Sequence, residues 1–192
     1  MRDIVNAGAR LLVISLIAAL LLAGTNMITR GPIAEQARDQ TIASRLAVMP
    51  EANEFKAVEW PDVIELSSFP SLVEAHEAYK DGVLVGYVFQ YKPMGYKAEI
   101  PVSVGIRLPG NPGEPGILSG ISIGDISETS GLGSKVKDEP FLSQFDGVLA
   151  NRVDADVNTI SGATISSSAV KNAVKNAVSA FEALRPDSKP ID

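Results

Sequence analysis

The sequence predicts an α+β fold, a small antiparallel sheet with packed helices, behind one amino-terminal transmembrane helix. The first observation is an apolar run over residues 11–28 that contains no charged side chain. The second is a set of three strand-like apolar runs spaced by about ten residues, which is typical of an antiparallel meander. The third is the helical spacing of apolar residues between positions 166 and 184.

The apolar run has the length of a membrane anchor. About 20 apolar residues cross a bilayer core as a helix, and the run extended back to Ala7 contains one charge, Arg10. A secretory signal has an apolar region of about 7–15 residues and a small-x-small cleavage site. This run is longer, and residues 24–27 offer no such site. Because the chain also has no cysteine to carry a lipid, we expect an uncleaved single-pass anchor.

The basic residues do not decide which side of the membrane the domain faces. Arg2 and Arg10 precede the run, whereas Arg30, Arg38 and Arg45 follow it. The Lys/Arg asymmetry between the two sides is therefore too small to orient the helix.

Charge and composition exclude several classes of function. The formal net charge of the chain is −6, and such a domain repels nucleic acid and anionic lipid headgroups. With no cysteine and one histidine, zinc fingers, cysteine-bound iron–sulfur clusters and thiol catalysis are excluded. A Ser-His-Asp triad would need His76, which lies in a polar, helical-looking stretch. We expect His76 to be a solvated surface residue, and no catalytic or metal-binding residue is predicted.

The remaining elements follow from local patterns. Residues 72–80 are predicted to form a short helix that ends at an Asp81-Gly82 turn. The three strands are expected in residues 83–91, 99–108 and 117–126. Four segments result, namely an N-terminal segment with the transmembrane helix (1–29), a helical connector (30–66), a folded domain (67–185) and a polar tail (186–192).

A final helix is predicted from residue 166 onward. Its apolar positions share one face and comprise Val170, Val174, Ala177, Val178, Phe181 and Leu184. Ser166, Ser167 or Ser168 can cap its amino terminus.

Directly before this helix lies the run Ser161-Gly162-Ala163-Thr164. Its small residues let a bulky ligand approach the backbone. The helix that follows offers free N–H groups and the positive end of its dipole, which favour a phosphate. The same residues are also compatible with an ordinary helix cap.

A second run, Glu128-Thr129-Ser130-Gly131-Leu132-Gly133, follows the third predicted strand. Two glycines around one leucine indicate a backbone held close to a flat ligand, or an ordinary tight turn.

Together, in this order and spacing, the two runs resemble the FMN-binding domain of the RnfG component of the Rnf electron transport complex. They are also similar to the corresponding NqrC component of the sodium-pumping NADH:quinone oxidoreductase. That family carries an S/T-G-A-T motif and an E-T-P-G-L-G loop, and here Ser130 replaces the proline. Residues 141–145 resemble the family's F-x-x-Q-F run, and Pro32-Ile33 after the span is shared. The chain departs from the family at Asn158, where aspartate is usual, and at residues 95–98, where Gly-Tyr-Gly-Gly is usual.

The resemblance implies an FMN cofactor joined by a phosphoester to the hydroxyl of Thr164. An FAD-dependent flavin transferase would attach it, and the chain would relay electrons between other redox subunits of an Rnf-type complex that moves Na⁺ or H⁺. It would not be a catalyst alone, and no G-x-G-x-x-G follows a strand to indicate an NADH site. The family pattern also implies a domain on the extracytoplasmic side of the cell membrane. The implied cofactor-binding residues are Ser161, Gly162, Ala163, Thr164, Ser167, Glu128, Thr129, Gly131, Leu132 and Gly133.

Two alternatives remain at the level of sequence. The chain could be a membrane-tethered assembly domain that uses residues 161–164 only as a helix cap, or an FMN-binding domain of another respiratory or regulatory system. Tyr91 and Tyr96 are alternatives for an aromatic contact with the flavin, and core packing is the commoner role of such residues.

Overall fold

The computed structural model describes residues 2–60 and 68–185. The chain divides after Ile42 into two compact units. Helix α1 runs from Arg2 to Val48 without a break, and so crosses the predicted boundary between residues 29 and 30.

Part of α1 is long and apolar enough to cross a membrane. This part, Arg10–Gly31, has 22 residues, which corresponds to about 33 Å at 1.5 Å per residue. The apolar core of a bilayer is about 30 Å thick. The hydroxyls of Thr25 and Thr29 donate to carbonyl oxygens one turn earlier, each at 2.9 Å. The prediction of an apolar helix long enough to span is confirmed.

The second unit is built on a five-stranded antiparallel sheet in the order β1-β2-β3-β4-β5. The strands are β1 (Glu54–Ala57), β2 (Leu72–Lys80), β3 (Val83–Tyr91), β4 (Val102–Arg107) and β5 (Ile117–Ile123). The three predicted strands are confirmed as β3, β4 and β5, and they pair as a meander. Two further strands, β1 and β2, extend the sheet beyond β3.

The prediction of a helix over residues 72–80 is wrong, because this segment is β2 and pairs with β3. Alanine and glutamate in this stretch favour a helix locally, but pairing with β3 overrides that preference. The turn between β2 and β3 favours a hairpin over a helix. Asp81 and Gly82 have φ angles of 52° and 81°, as in the two-residue turn that joins tight hairpins.

His76 is not a solvated surface residue, and that expectation is also wrong. It lies in β2 and is only 8% exposed, because β2 is an inner strand that pairs with β1 and β3. Its Nδ1 has no hydrogen-bond partner among the described residues. Burial, and then the nearby charge of Arg45, lower the pKa of His76, although Glu74 acts in the opposite direction.

Helices follow the sheet in the chain. Two are short, α2 (Glu139–Leu142) and α3 (Val153–Asp156), and three short 3₁₀ segments accompany them at Gly133–Lys137, Ser143–Phe145 and Ala150–Arg152. The long helix α4 spans Thr164–Leu184. This arrangement confirms the predicted α+β class.

The main core lies between one face of the sheet and α4. The buried face of α4 contains Val170, Val174, Ala177 and Phe181, as predicted, whereas Val178 and Leu184 are half-buried. The Phe181 ring meets Tyr87 of β3 edge-on with centroids 5.9 Å apart. Burial of each large side chain contributes about 1.5–3 kcal/mol. Since this face runs the length of the helix, the core fixes α4 relative to the strands.

The other face of the sheet packs against the last residues of α1. Val48 and Met49 are fully buried there, together with Val88 of β3. The carbonyl oxygen of Val48, which has no partner within the helix end, accepts a hydrogen bond from the Ser119 hydroxyl. The sheet is therefore covered on both faces.

Replacing His76 provides a test of its buried, neutral state. In the wild type the free energy of unfolding should fall as the pH decreases from about 8 to about 5. The unfolded chain takes up a proton near its ordinary pKa, about 6.5, whereas the folded chain resists it, so stability rises with pH in this window. Because His76 is the only histidine, His76→Gln should flatten this slope between about pH 6 and 8, above the range in which carboxyls titrate. Urea titrations of the detergent-solubilised full chain measure it, and parallel wild-type and variant profiles would contradict the assignment.

Candidate functional site

A cleft of about 560 Å³ opens beside the amino terminus of α4. Ligand sites for small molecules commonly have volumes of about 300–1,000 Å³. Three chain segments form its walls, namely the turn after β3, the loop after β5 and the first turn of α4. The lining residues are Tyr96, Thr129, Leu132, Gly133, Gly162, Ala163, Thr164, Ile165 and Ser166.

The first wall is the start of α4. Thr164 is the first residue of the helix and is exposed. The chain reaches it through a turn in which the Ala163 N–H donates to the Ile160 carbonyl at 3.0 Å. Gly162 has a φ of 80° in this turn, a conformation that glycine adopts without strain. The Thr164 hydroxyl is thereby presented on a rigid element at the edge of the cleft.

The prediction that a serine caps this helix is wrong. The residue before the helix is Ala163, and no side chain caps the end. The helix begins two residues earlier than expected, so the three serines lie inside the helix and not at its capping position. The buried Ser167 hydroxyl accepts a hydrogen bond from the Ile160 N–H at 3.0 Å and donates to the Ala163 carbonyl at 2.9 Å.

The uncapped end has a chemical consequence. The first N–H groups of an α-helix have no acceptor within the helix, and here no side chain takes that place. The 21 residues of α4 also direct the positive end of the helix dipole toward the cleft. Such an end accommodates a phosphate or another anionic group.

The second wall is the loop after β5. Gly131 has a φ of 75°, and its N–H donates to the Ser134 hydroxyl at 2.9 Å. This turn leaves Leu132 48% exposed although it is apolar, and Leu132 and Gly133 both line the cleft.

The third wall is the turn after β3, which carries Tyr96. The Gly95 N–H donates to the Ala98 carbonyl at 2.8 Å and closes the turn. Tyr96 is 69% exposed and lines the cleft, whereas Tyr91 is 1% exposed in the main core. Burial raises the pKa of Tyr91 well above its usual range. Of the two tyrosines considered from the sequence, only Tyr96 lies at the cleft.

Glu128 connects the three walls. Its Oε1 accepts hydrogen bonds from the N–H groups of Lys97 and Ala98 at 3.0 and 3.1 Å. Its Oε2 accepts one from the Ser166 hydroxyl at 3.1 Å. Burial on its own would raise the pKa of this carboxyl. The hydrogen bonds from the backbone and from Ser166 outweigh it and hold the pKa of Glu128 below its ordinary value, so the group is ionised at neutral pH.

Two glycines make room for this carboxylate. A methyl group on Gly95 would collide with Oε1 of Glu128, and one on Gly133 would collide with Oε2 and come within 3.0 Å of the Ser166 hydroxyl. The Gly95 and Gly133 backbones therefore lie so close to the carboxylate that a larger residue at either position would displace it.

The loop before Thr164 is supported from two sides. The Gln144 Oε1 accepts a hydrogen bond from the Asn158 N–H at 2.8 Å. On the other side, the Lys171 ammonium donates to the carbonyl oxygens of Asp154 and Val157 at 3.0 and 2.8 Å. The glutamine of the F-x-x-Q-F run thus supports the backbone at the position where the family usually has aspartate.

The structure brings most of the predicted site residues together. Those that line the cleft are Thr129, Leu132, Gly133, Gly162, Ala163 and Thr164, whereas Glu128, Gly131, Ser161 and Ser167 belong to the same segments but do not line it. The sequence assigned no role at the cleft to Ile165 or Ser166. A helix start placed two residues earlier would have pointed to both.

Residues 95–179 match the family described as FMN-binding domain, and residues 1–48 match the RnfG N-terminal region. The chain is 31% identical over 195 residues to the RnfG-type component of the Na⁺-translocating ferredoxin:NAD⁺ oxidoreductase complex of Acetobacterium woodii, across 92% of this chain and 91% of that protein. The chain belongs to the RnfG family.

Two further proteins extend the comparison. The RnfG-type component of the ion-translocating oxidoreductase complex of Methanosarcina acetivorans is 29% identical over 182 residues, which cover 92% of this chain and 94% of that protein. The crystal structure of Shewanella oneidensis NqrC superposes with a TM-score of 0.50 at 17% identity and covers 72% of this chain and 91% of NqrC. That likeness confirms the fold.

Replacing Gly133 tests the close packing of the carboxylate. Gly133→Ala should lower the free energy of unfolding by about 1–3 kcal/mol, because the new methyl group displaces Glu128. The matched control is Gly110→Ala, where an added methyl group meets no atom within 4 Å. Urea titration of the full chain measures both. Equal stability of the two variants would show that Gly133 has room for a side chain.

Proposed function

We propose that this chain is the electron-transfer component of a membrane-bound ion-translocating ferredoxin:NAD oxidoreductase, and that it carries FMN joined by a phosphoester to Thr164. One observation supports this most strongly. Thr164 is at once the first residue of α4, exposed, and part of the cleft lining. Its hydroxyl therefore lies where a helix end favours a phosphate and where an open cleft adjoins it.

The residues at the cleft fit FMN. The uncapped N–H groups of α4 and the small residues Gly162 and Ala163 suit the phosphate, which would also have the Ser161 hydroxyl nearby in the chain. Exposed apolar surface on Leu132, Ile165 and Tyr96 suits the flat ring. When bound, FMN supplies reversible flavin redox chemistry, for which the protein provides position and electrostatics.

Attachment is a phosphoryl transfer from FAD. The Thr164 oxygen forms a bond to the phosphorus on the FMN side of the pyrophosphate. The bond from that phosphorus to the bridging oxygen breaks, and AMP leaves with that oxygen, while the hydroxyl proton passes to the AMP phosphate or to solvent. An FAD-dependent flavin transferase is the partner that this step requires.

A covalent link suits a carrier that works beside a membrane. The helix Arg10–Gly31 is able to anchor the chain, and a phosphoester prevents the cofactor from dissociating. We propose that the domain lies on the extracytoplasmic side, where free flavin is scarce, and that its partners are the other redox and membrane subunits of the complex. The formal charge of −6 disfavours nucleic acid as a partner.

The mass of the protein tests the attachment. The full chain, co-expressed with a flavin transferase and then denatured, should gain the mass of one FMN less one water. Thr164→Ala should abolish the gain. Thr159→Ala should keep it, because Thr159 is exposed in the same loop but does not line the cleft.

Two results would contradict the proposal. An added FMN that persists in Thr164→Ala would place the link elsewhere. A wild-type protein without FMN would instead favour the assembly domain, in which residues 161–164 serve only to begin a helix.

A further inference from the structure

We propose that Glu128 is a positioning residue that holds the cleft in its FMN-accepting shape before the cofactor arrives. This role rests on the proposed function, because it concerns the same cleft. The carboxylate joins the turn that carries Tyr96 to the helix turn that carries Thr164, and its own loop carries Leu132.

The first step of the argument is the use of both carboxylate oxygens. Oε1 faces two backbone N–H groups, those of Lys97 and Ala98, and Oε2 faces the Ser166 hydroxyl. No lysine or arginine of the described residues forms a salt bridge with Glu128. Its charge is therefore stabilised by donors from the two neighbouring walls, together with the backbone N–H of Thr129 in its own loop.

The second step is the location of these contacts. Glu128 is half-buried and does not line the cleft, and it lies outside the residues of the main core. Its hydrogen bonds connect segments that are 30 or more residues apart. Loss of the carboxylate should therefore loosen the cleft walls while the sheet and α4 stay packed.

The third step concerns the side chains that the cleft walls expose. Tyr96 and Ile165 are exposed apolar side chains, 69% and 58% accessible, on segments that Glu128 connects. Without the carboxylate, the turn at residues 95–98 has one hydrogen bond within it, from the Gly95 N–H to the Ala98 carbonyl, and one at its base, from the Ile100 N–H to the Pro93 carbonyl. Ordering a mobile wall during binding costs conformational entropy, which a preformed cleft avoids.

Hydrogen–deuterium exchange of the full chain without FMN tests the connection directly. Glu128→Ala should speed exchange at the Lys97 and Ala98 amides at least tenfold, since these amides lose their acceptor. Exchange in β3 and β4 should stay unchanged. The matched control is Glu139→Gln, an exposed glutamate without a salt bridge in the described structure, and it should match the wild type.

The rate of FMN attachment tests the consequence. With purified transferase and FAD, Glu128→Ala should load FMN about tenfold or more slowly, because the cleft walls must then become ordered during binding. Glu128→Gln keeps one carbonyl oxygen for the two amides and should recover part of the rate. Ser166→Ala should slow loading while leaving the Lys97 and Ala98 amides protected.

The outcomes separate the two proposals. If the wild type loads FMN and both Glu128 variants load it equally fast with unchanged exchange, the positioning role is wrong and the proposed function stands. If the wild type takes up no FMN, the proposed function fails, and exchange at the two amides still decides whether Glu128 holds the turn. If Glu128→Ala speeds exchange throughout β3 and β4, the residue supports the whole fold and the positioning role is wrong.

Discussion

The packing of α4 on the sheet is the constraint on which the site depends. The face that holds Val174 and Phe181 is fully buried, so the helix cannot turn or slide without exposing apolar surface. Its amino terminus is therefore fixed beside the loop after β5 and the turn after β3. The hydroxyl of Thr164 is therefore held in a fixed position, although it lies at an exposed helix end. Stability of the core and accessibility of the site are thus provided by different parts of one element.

The amino terminus of α4 has no side-chain cap, which leaves it accessible to a ligand. Ala163 at the capping position has no side-chain acceptor. The hydroxyls of Ser166 and Ser167, inside the first turn, bind Glu128 and the preceding turn. The helix therefore lacks the stabilisation of about 1 kcal/mol that a good N-cap contributes. As a consequence, the first N–H groups of α4 stay available to a phosphate. Local rules of helix design are commonly broken at functional sites, and this helix end follows that pattern.

The sequence predicted the strands that alternate regularly and the buried face of α4, because burial imposes a clear period on both. It did not predict β2, because the Ala- and Glu-containing stretch around His76 favours a helix until the Asp81-Gly82 turn pairs it with β3. The proposed acceptor Thr164 and the glycine loop were found through motifs that resemble a family. The contacts of Glu128 could not be predicted from these motifs, because they join segments far apart in the chain. Tyr96 was left undecided, since an exposed aromatic residue in a turn has no sequence signature.

Identifying the residue that bears the flavin is the most direct test of Thr164 as the attachment site. Trypsin cuts after Arg152 and Lys171, so all the candidate hydroxyls lie in one tryptic peptide, residues 153–171. They are Thr159, Ser161, Thr164 and the three serines that follow. Fragmentation of this peptide from flavin-loaded full chain should locate FMN on Thr164 alone. A flavin on one of the serines, on Thr159 or on any other peptide would contradict the assignment of the α4 amino terminus as the attachment site.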